Sequence, residues 1–170
     1  MIESTRLSGV LKIKPVTYFE DFRGRYIESY NDDAYKSQGL DIDFVQDDFS
    51  RSHKGVLRGI HGDSETWKLV SCIYGSFYLI VVNNDPESSQ FKQWTSFTLS
   101  DRDCQQILIP PKFGNGHLVT SDEAIFHYKQ STYYNRRGQF TIKYDDPEYG
   151  FWWPNFNVIT SERDKSARIS

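Results

Sequence analysis

Lys68-Leu69-Val70-Ser71-Cys72-Ile73-Tyr74-Gly75-Ser76-Phe77-Tyr78-Leu79-Ile80-Val81-Val82-Asn83 is the stretch that decides the fold class. Two runs, Lys68 to Tyr74 and Phe77 to Asn83, are rich in β-branched and aromatic side chains and meet at Tyr74-Gly75-Ser76, so they read as a hairpin. Neither run alternates with polar residues. Both faces of the hairpin must therefore be covered, and a second sheet on one side with a partner subunit on the other would do this.

On either side of the hairpin the same grammar continues, short apolar or alternating runs separated by turn residues. Further strands are predicted over Leu11 to Lys14, Arg25 to Tyr30, Asp43 to Ser50, Gly55 to His61, Gln93 to Leu99, Gln105 to Ile109, Gly116 to Val119 and Ala124 to Gln130. Asp21-Phe22-Arg23-Gly24, Asn83-Asn84-Asp85-Pro86 and Arg136-Arg137-Gly138 supply turn chemistry between strands. Only Asp32 to Gln38, acidic in its first turn and followed by Gly39, reads as a helix. The chain is expected to be all-β, and residues 1–170, with no repeat or linker, are expected to form one domain.

Composition agrees: 12 Phe, 11 Tyr and 4 Trp make up 16% of the chain, residue types that favour pleated, half-buried surfaces. With 20 basic and 23 acidic residues spread along the sequence, no basic stripe points to nucleic acid, and an anionic ligand would have to meet a local cluster of Arg and Lys. No apolar run approaches the roughly 20 residues of a membrane span, and the start lacks a leader pattern, so a soluble, cytoplasmic protein is expected. Cys72 and Cys104 sit singly and read as buried packing residues.

Few residues could carry chemistry. His61 closes the strand Val56-Leu57-Arg58-Gly59-Ile60-His61. Strict alternation places it on one face with Leu57 and Gly59, the glycine leaving space for a ligand, and places Arg58, Ile60 and Gly62 on the other. Gln46, Asp48 and Ser50 align as a polar row, either facing a ligand or lying along a solvated edge. Lys68 stands at the entrance to the apolar hairpin, where its ammonium can enter a cavity or reach solvent. Tyr128 shares a face with Phe126, opposite His127 and Lys129.

Taken in order, Asp21-Phe22-Arg23-Gly24-Arg25-Tyr26-Ile27-Glu28, Phe44-Val45-Gln46-Asp47, Gly55 to His61, Lys68-Leu69-Val70, Ile109-Pro110-Pro111, Tyr128-Lys129 with Tyr133-Tyr134, Asp145-Asp146-Pro147, Trp153-Pro154 and Ser161-Glu162-Arg163-Asp164 closely resemble the dTDP-4-dehydrorhamnose 3,5-epimerase family over about residues 8 to 165. The resemblance implies a homodimeric cupin double-stranded β-helix, or jelly roll, with short helices and a C-terminal extension. The implied activity is epimerisation of a nucleotide-diphospho 4-keto sugar at C3, C5 or both, with no metal or redox cofactor. It further implies that His61 is the base, Asp164 the carboxylate that orients it, Tyr128 the general acid and Lys68 the cation beside the sugar 4-oxygen. Arg58 and Gln46 match sugar and phosphate ligands, and Arg23 and Tyr26 a nucleotide-binding segment that reaches across the dimer.

These residue types suit that chemistry. A C4 carbonyl acidifies the protons on C3 and C5, and a neutral imidazole, with an ordinary pKa of about 6.5, is a fitting base. An aspartate on the other ring nitrogen fixes the tautomer, a phenol can return a proton to the opposite face, and a preplaced cation stabilises the enolate oxygen.

This sequence departs from the family pattern at the sugar end. Gly62-Asp63-Ser64 follows His61 where the family has an aromatic and a Gln, Asn115 in Lys112-Phe113-Gly114-Asn115-Gly116-His117 takes the place of a second histidine, and Asp48 stands where Asn is frequent. Asn115, His117 and Asp48 are accordingly expected to contact substrate, with Gly62 making room for a bulkier sugar. The Gly-Asn-Gly-His pattern resembles branch members acting on GDP-linked 4-keto heptoses in capsule synthesis, and the loss of a histidine would suit inversion at one carbon. Two further readings compete, a metal-dependent cupin oxygenase or isomerase using His61, Glu65 and His117, and a non-catalytic sugar-binding jelly roll.

Overall fold

The computed structural model describes residues 2–15, 17–155 and 157–167. Its strands are β1 (Ile2–Ser4), β2 (Leu11–Ile13), β3 (Tyr18–Asp21), β4 (Gly24–Ile27), β5 (Gln46–His53), β6 (Leu57–Gly62), β7 (Lys68–Tyr74), β8 (Ser76–Asn83), β9 (Trp94–Ser100), β10 (Gln106–Ile109), β11 (Phe113–Val119), β12 (Glu123–Gln130) and β13 (Phe140–Thr141). Two short α-helices, α1 (Asp32–Lys36) and α2 (Glu162–Lys165), and one 3-10 turn at Arg136–Gly138 complete the set among the described residues.

All strand pairs are antiparallel, and they form a six-stranded sheet, β1-β2-β10-β7-β12-β5, a five-stranded sheet, β13-β6-β11-β8-β9, and the separate hairpin β3-β4. This is the all-β cupin jelly roll. Between the two sheets lies a core of Val70 and Cys72 from β7, Phe77, Leu79 and Val81 from β8, Ile107 and Ile109 from β10, and Phe126 from β12. Removing these side chains from water is the main force that closes the sandwich.

Most of the β7-β8 hairpin is covered on both faces by the chain itself, while Ile73 and Tyr74 beside its turn are 50% and 53% exposed. Tyr78, Ile80 and Val82 on the outer face of β8 pack with Ile142, Tyr149, Phe151 and Trp153 of the C-terminal segment. Leu69 of β7 packs with Ile13, Tyr35 of α1 and Leu108. The strand expected from Asp43 begins instead at Gln46, because Ile42 and Phe44 join that same cluster around Tyr35. Cys72 is a packing residue as expected, whereas Cys104 is half-buried, at a φ of +52°, with its sulfur turned to the backbone oxygens of Asp101 and Arg102.

The C-terminal segment also runs beside the start of β6. Leu57 N–H donates to Ile159 O and Ile159 N–H to Gly55 O, a parallel bridge that brings α2 to the end of β6. Among the described residues no helix is long and apolar enough to cross a membrane.

Candidate active site

At one end the two sheets part around a cavity of about 830 Å³, lined from one sheet by β5, β7 and β12 and from the other by β6 and β11. A volume of this order suits a sizeable small-molecule ligand. Pleating aims Gln46, Asp48 and Ser50 of β5 inward together, and Phe126 and Tyr128 of β12 likewise, while His127 and Lys129 point outward to Asp47 at 2.5 and 2.6 Å. The polar row of β5 is thus both a sheet edge and a cavity wall.

β6 does not obey the alternation expected of it. His61 pairs with Asn115 and Arg58 with His117, so three residues of β6 span two of β11, a bulge. The extra residue restores parity: Arg58 and His61 face the same cavity, and Ile60 turns outward to Tyr78 and Ile80. Neither glycine opens space for a ligand. A Cβ on Gly59, whose φ is +112°, would lie 2.6 Å from Gly116 Cα, and one on Gly62 would lie 2.2 Å from Phe113 O and 2.4 Å from the Phe140 ring. Gly62 faces protein, so the expectation that it enlarges the sugar site is overturned.

His61 Nε2 and Asp164 Oδ1 are 2.6 Å apart. Asp164 is 2% exposed, and burial raises its pKa, but bonds from His61, Ser161 and the Gly59 backbone outweigh this and hold the carboxyl below the usual carboxylate range. Ser161 makes this placement local, since it caps α2 by accepting from Asp164 N–H. With Nε2 engaged, Nδ1 is the His61 nitrogen with no protein partner among the described residues. On the facing sheet Tyr128 is half-buried, and burial, followed by the Asp48 and Tyr134 charges, pushes its pKa up to about 12, so the phenol keeps its proton. Lys68 is 6% exposed and does not reach solvent; its ammonium donates to Asn115 Oδ1 at 3.2 Å and to His61 O at 3.4 Å.

The remaining expected ligands divide. Among the described residues Arg58 donates only through Nε, to Ser52 Oγ at 3.1 Å, and the rest of its fork has no protein partner there. Gln46 is engaged at both ends, donating to Asp48 Oδ2 at 2.7 Å and accepting from Tyr134 N–H at 2.8 Å, and Gln130 also donates to Asp48. Arg23 and Tyr26 stand outside the cavity on the β3-β4 hairpin, Arg23 clamped on Asp21 and Tyr26 63% exposed. Glu65 is exposed on the loop after β6 and does not line the cavity, so the His61, Glu65 and His117 set is not assembled, and the described residues hold no three-residue His, Cys, Asp or Glu group placed for a metal ion.

His117 lines the cavity with its ring flat on Phe126, centroids 4.0 Å apart, and its Nε2 buried without a partner. Burial first, then the Arg58 and His61 charges, push its pKa down to about 3, so the ring is neutral at working pH. The unfolded chain binds a proton there below about pH 6.5 that the folded protein refuses until about pH 3; stability is thus lost as pH falls through that window, by up to ~1.4 kcal/mol per unit. His117→Phe keeps the stack and removes the orphan nitrogen. Denaturant unfolding should show the variant about 1 kcal/mol more stable at pH 7 and losing about 2 kcal/mol less than wild type between pH 7 and 5; equal pH slopes would refute this.

Tyr134, Arg136, Gln139, Ser161 and Arg163 also line the cavity, and the sequence reading did not single them out as ligands. Tyr134, Ser161 and Arg163 lie within motifs named above, but nothing in the spacing of a loop says which side chains turn inward.

Comparison with known proteins gives a consistent picture. The family model described as dTDP-4-dehydrorhamnose 3,5-epimerase matches residues 4–169. The dTDP-4-dehydrorhamnose 3,5-epimerase of Escherichia coli strain K12 is 37% identical over 166 residues, covering 95% of this chain and 89% of the relative. Among solved structures, the dTDP-6-deoxy-D-glucose-3,5-epimerase of Legionella pneumophila Philadelphia 1, in complex with dTDP-4-keto-L-rhamnose, superposes with a TM-score of 0.93 at 37% identity, covering 98% of this chain and 90% of that one. A 3'-monoepimerase from Streptomyces bikiniensis, in complex with dTDP-quinovose, gives a TM-score of 0.90 at 25% identity, covering 96% of this chain and 84% of that one.

Proposed function

The chain belongs to the dTDP-4-dehydrorhamnose 3,5-epimerase family and is a carbohydrate epimerase, and from that premise we propose that it inverts C3, C5 or both of a nucleotide-diphospho 4-keto sugar through an enolate. The observation that carries this reading is one cavity lined by the His61–Asp164 pair, Tyr128 and a buried Lys68. In the proposed reaction His61 Nδ1 takes the proton from the carbon beside the ketone. The C–H electron pair becomes the ring double bond, and O4 takes up the negative charge. Asp164 stabilises the imidazolium, and the Lys68 ammonium, a few bonds from the base, faces the new charge in a water-poor site. Tyr128 then protonates the opposite face; a phenol with a pKa of about 12 remains far more acidic than the carbon it protonates.

Arg58, with most of its guanidinium fork open toward the cavity, is the proposed diphosphate ligand. Arg23 and Tyr26 are proposed to serve the site of a second subunit in a homodimer. Their hairpin stands apart from both sheets and carries Phe22 at 97% exposure beside Phe19 at 54%. The sugar is proposed to be a GDP-linked 4-keto heptose or a dTDP-linked 4-keto-6-deoxyhexose used in surface polysaccharide synthesis. Asn115 and Asp48, in place of the family's His and Asn, support the former; Gly62 no longer does.

Proton exchange tests the proposal. Nucleotide 4-keto sugars incubated with the protein in D2O should gain deuterium at C3 or C5 by NMR, and dTDP-, GDP-, UDP- and CDP-linked hexoses and heptoses run in parallel identify the base and sugar. Tyr128→Phe should keep the exchange and lose about 10²-fold or more of the inversion. Inversion at the wild-type rate would remove Tyr128 from the mechanism, and an absence of label with every sugar would end the epimerase reading of this site.

A further inference from the structure

Lys68 is unusual as a buried cation because among the described residues no carboxylate lies within ion-pair distance of it; both of its acceptors there, Asn115 Oδ1 and the His61 carbonyl, are neutral oxygens. The two come from one rung of the sheet, since Asn115 and His61 are cross-strand partners in the β6-β11 ladder. The His61 contact, at 3.4 Å, is the longer, and its position is fixed by backbone. Among the described residues the Asn115 contact is the only one that a side chain can tune.

We propose that Asn115 is a positioning residue for Lys68: its amide oxygen holds the ammonium on the rung of the base and favours the protonated form of that amine. This rests on the reading of Lys68 as the cation facing O4, and deepens it by naming what keeps the cation in place. A buried ammonium stays charged only where acceptors replace lost water. The titratable and charged groups that share its cavity or act on it are Asp48 from β5, Arg58 and His61 from β6, Asp63 from the following loop, His117 from β11, Tyr128 from β12, Tyr134 and Arg136 beyond it, and Arg163 and Asp164 from α2. Burial pushes the amine down to about 8, Asp63 opposes this and Arg163 adds to it. The cation thus sits close to the edge of its charged range, where the loss of one acceptor is felt. Deprotonation as pH rises through that value removes the positive charge from the enolate, so activity should fall on the alkaline side.

The test is the titration of the Lys68 ε-methylene by NMR in the substrate-free protein, assigned with Lys68→Gln, alongside the pH dependence of kcat. Asn115→Leu should lower the Lys68 midpoint by about one unit, and Asn115→Asp, of nearly the same shape, should raise it by about one unit or more. The alkaline limb of kcat should move in step, with KM changed less than about threefold. Should Asn115→Leu fail to fold, the Asp variant alone decides. An unmoved Lys68 midpoint in folded variants whose KM alone rises would overturn the proposal and leave Asn115 a sugar ligand. A midpoint that moves while the kcat profile stays fixed would support the Asn115–Lys68 link and overturn the role given to Lys68 in the reaction.

Discussion

His61→Asn is expected to leave a folded protein that binds nucleotide with near wild-type affinity and incorporates no deuterium at C3 or C5, with kcat lowered by at least about 10³-fold. The amide keeps a polar group near Asp164 but offers no basic nitrogen to the substrate. The imidazole is 23% exposed at its side chain, lies within the cavity and is bonded through Nε2, so the variant removes the one proton acceptor that Asp164 holds in place. Asp164→Asn should also slow exchange, by about 10² or more, because a neutral amide neither fixes the tautomer nor stabilises the imidazolium. Nucleotide binding by calorimetry and label uptake by NMR together check the expectation. Exchange at the wild-type rate in His61→Asn would place the base elsewhere.

Gly59→Ala should be a severely damaging single methyl within the site itself. The new Cβ would meet Gly116 Cα at 2.6 Å and Asn115 O at 2.7 Å, both backbone, at a φ of +112° that L-residues avoid. Strain of ~1–3 kcal/mol from the dihedral is compounded by a clash that neither strand can relieve by a side-chain rotation. Relief requires β6 and β11 to separate where they carry His61, Arg58, Asn115 and His117. Denaturant unfolding should show a loss of at least about 3 kcal/mol and activity should collapse with it. Gly24→Ala is the control: its φ is +114°, but nothing lies within 4 Å of its Cβ, so it isolates the dihedral cost. Equal stability losses for the two variants would show that the close strand approach contributes nothing.

Much of this architecture is legible in the sequence, because hydrophobic runs and turn residues report local geometry. Lys68 to Tyr74 was bounded to the residue, and Phe77 to Asn83 differs from β8 only at Ser76. What escaped was short or irregular. β1 and β13 hold three and two residues, too few for a period, and they exist because neighbouring strands offer open ladders. The bulge of β6 is invisible to alternation because it depends on a second strand, and it reversed the relation of Arg58 to His61. The two glycines read as ligand space face backbone and a Phe140 ring instead. The site itself is a long-range object. Asp164 meets His61 across 103 residues, and only the resemblance to a family, not any spacing, pointed to that pair. Gln139 and Arg136 carried no such signal.

The step from Arg58 to His61 sets the scale of the cavity wall. In a regular pleat residues three apart look in opposite directions, and only every second one returns to the same wall, at a pitch of ~6.7 Å. One surplus residue between them folds a stride of three into a single pitch. A guanidinium and an imidazole are thereby ruled off at roughly the breadth of one six-membered ring, the gauge that the proposed roles require of a single strand that would grasp a sugar's phosphate arm while its base addresses the ring.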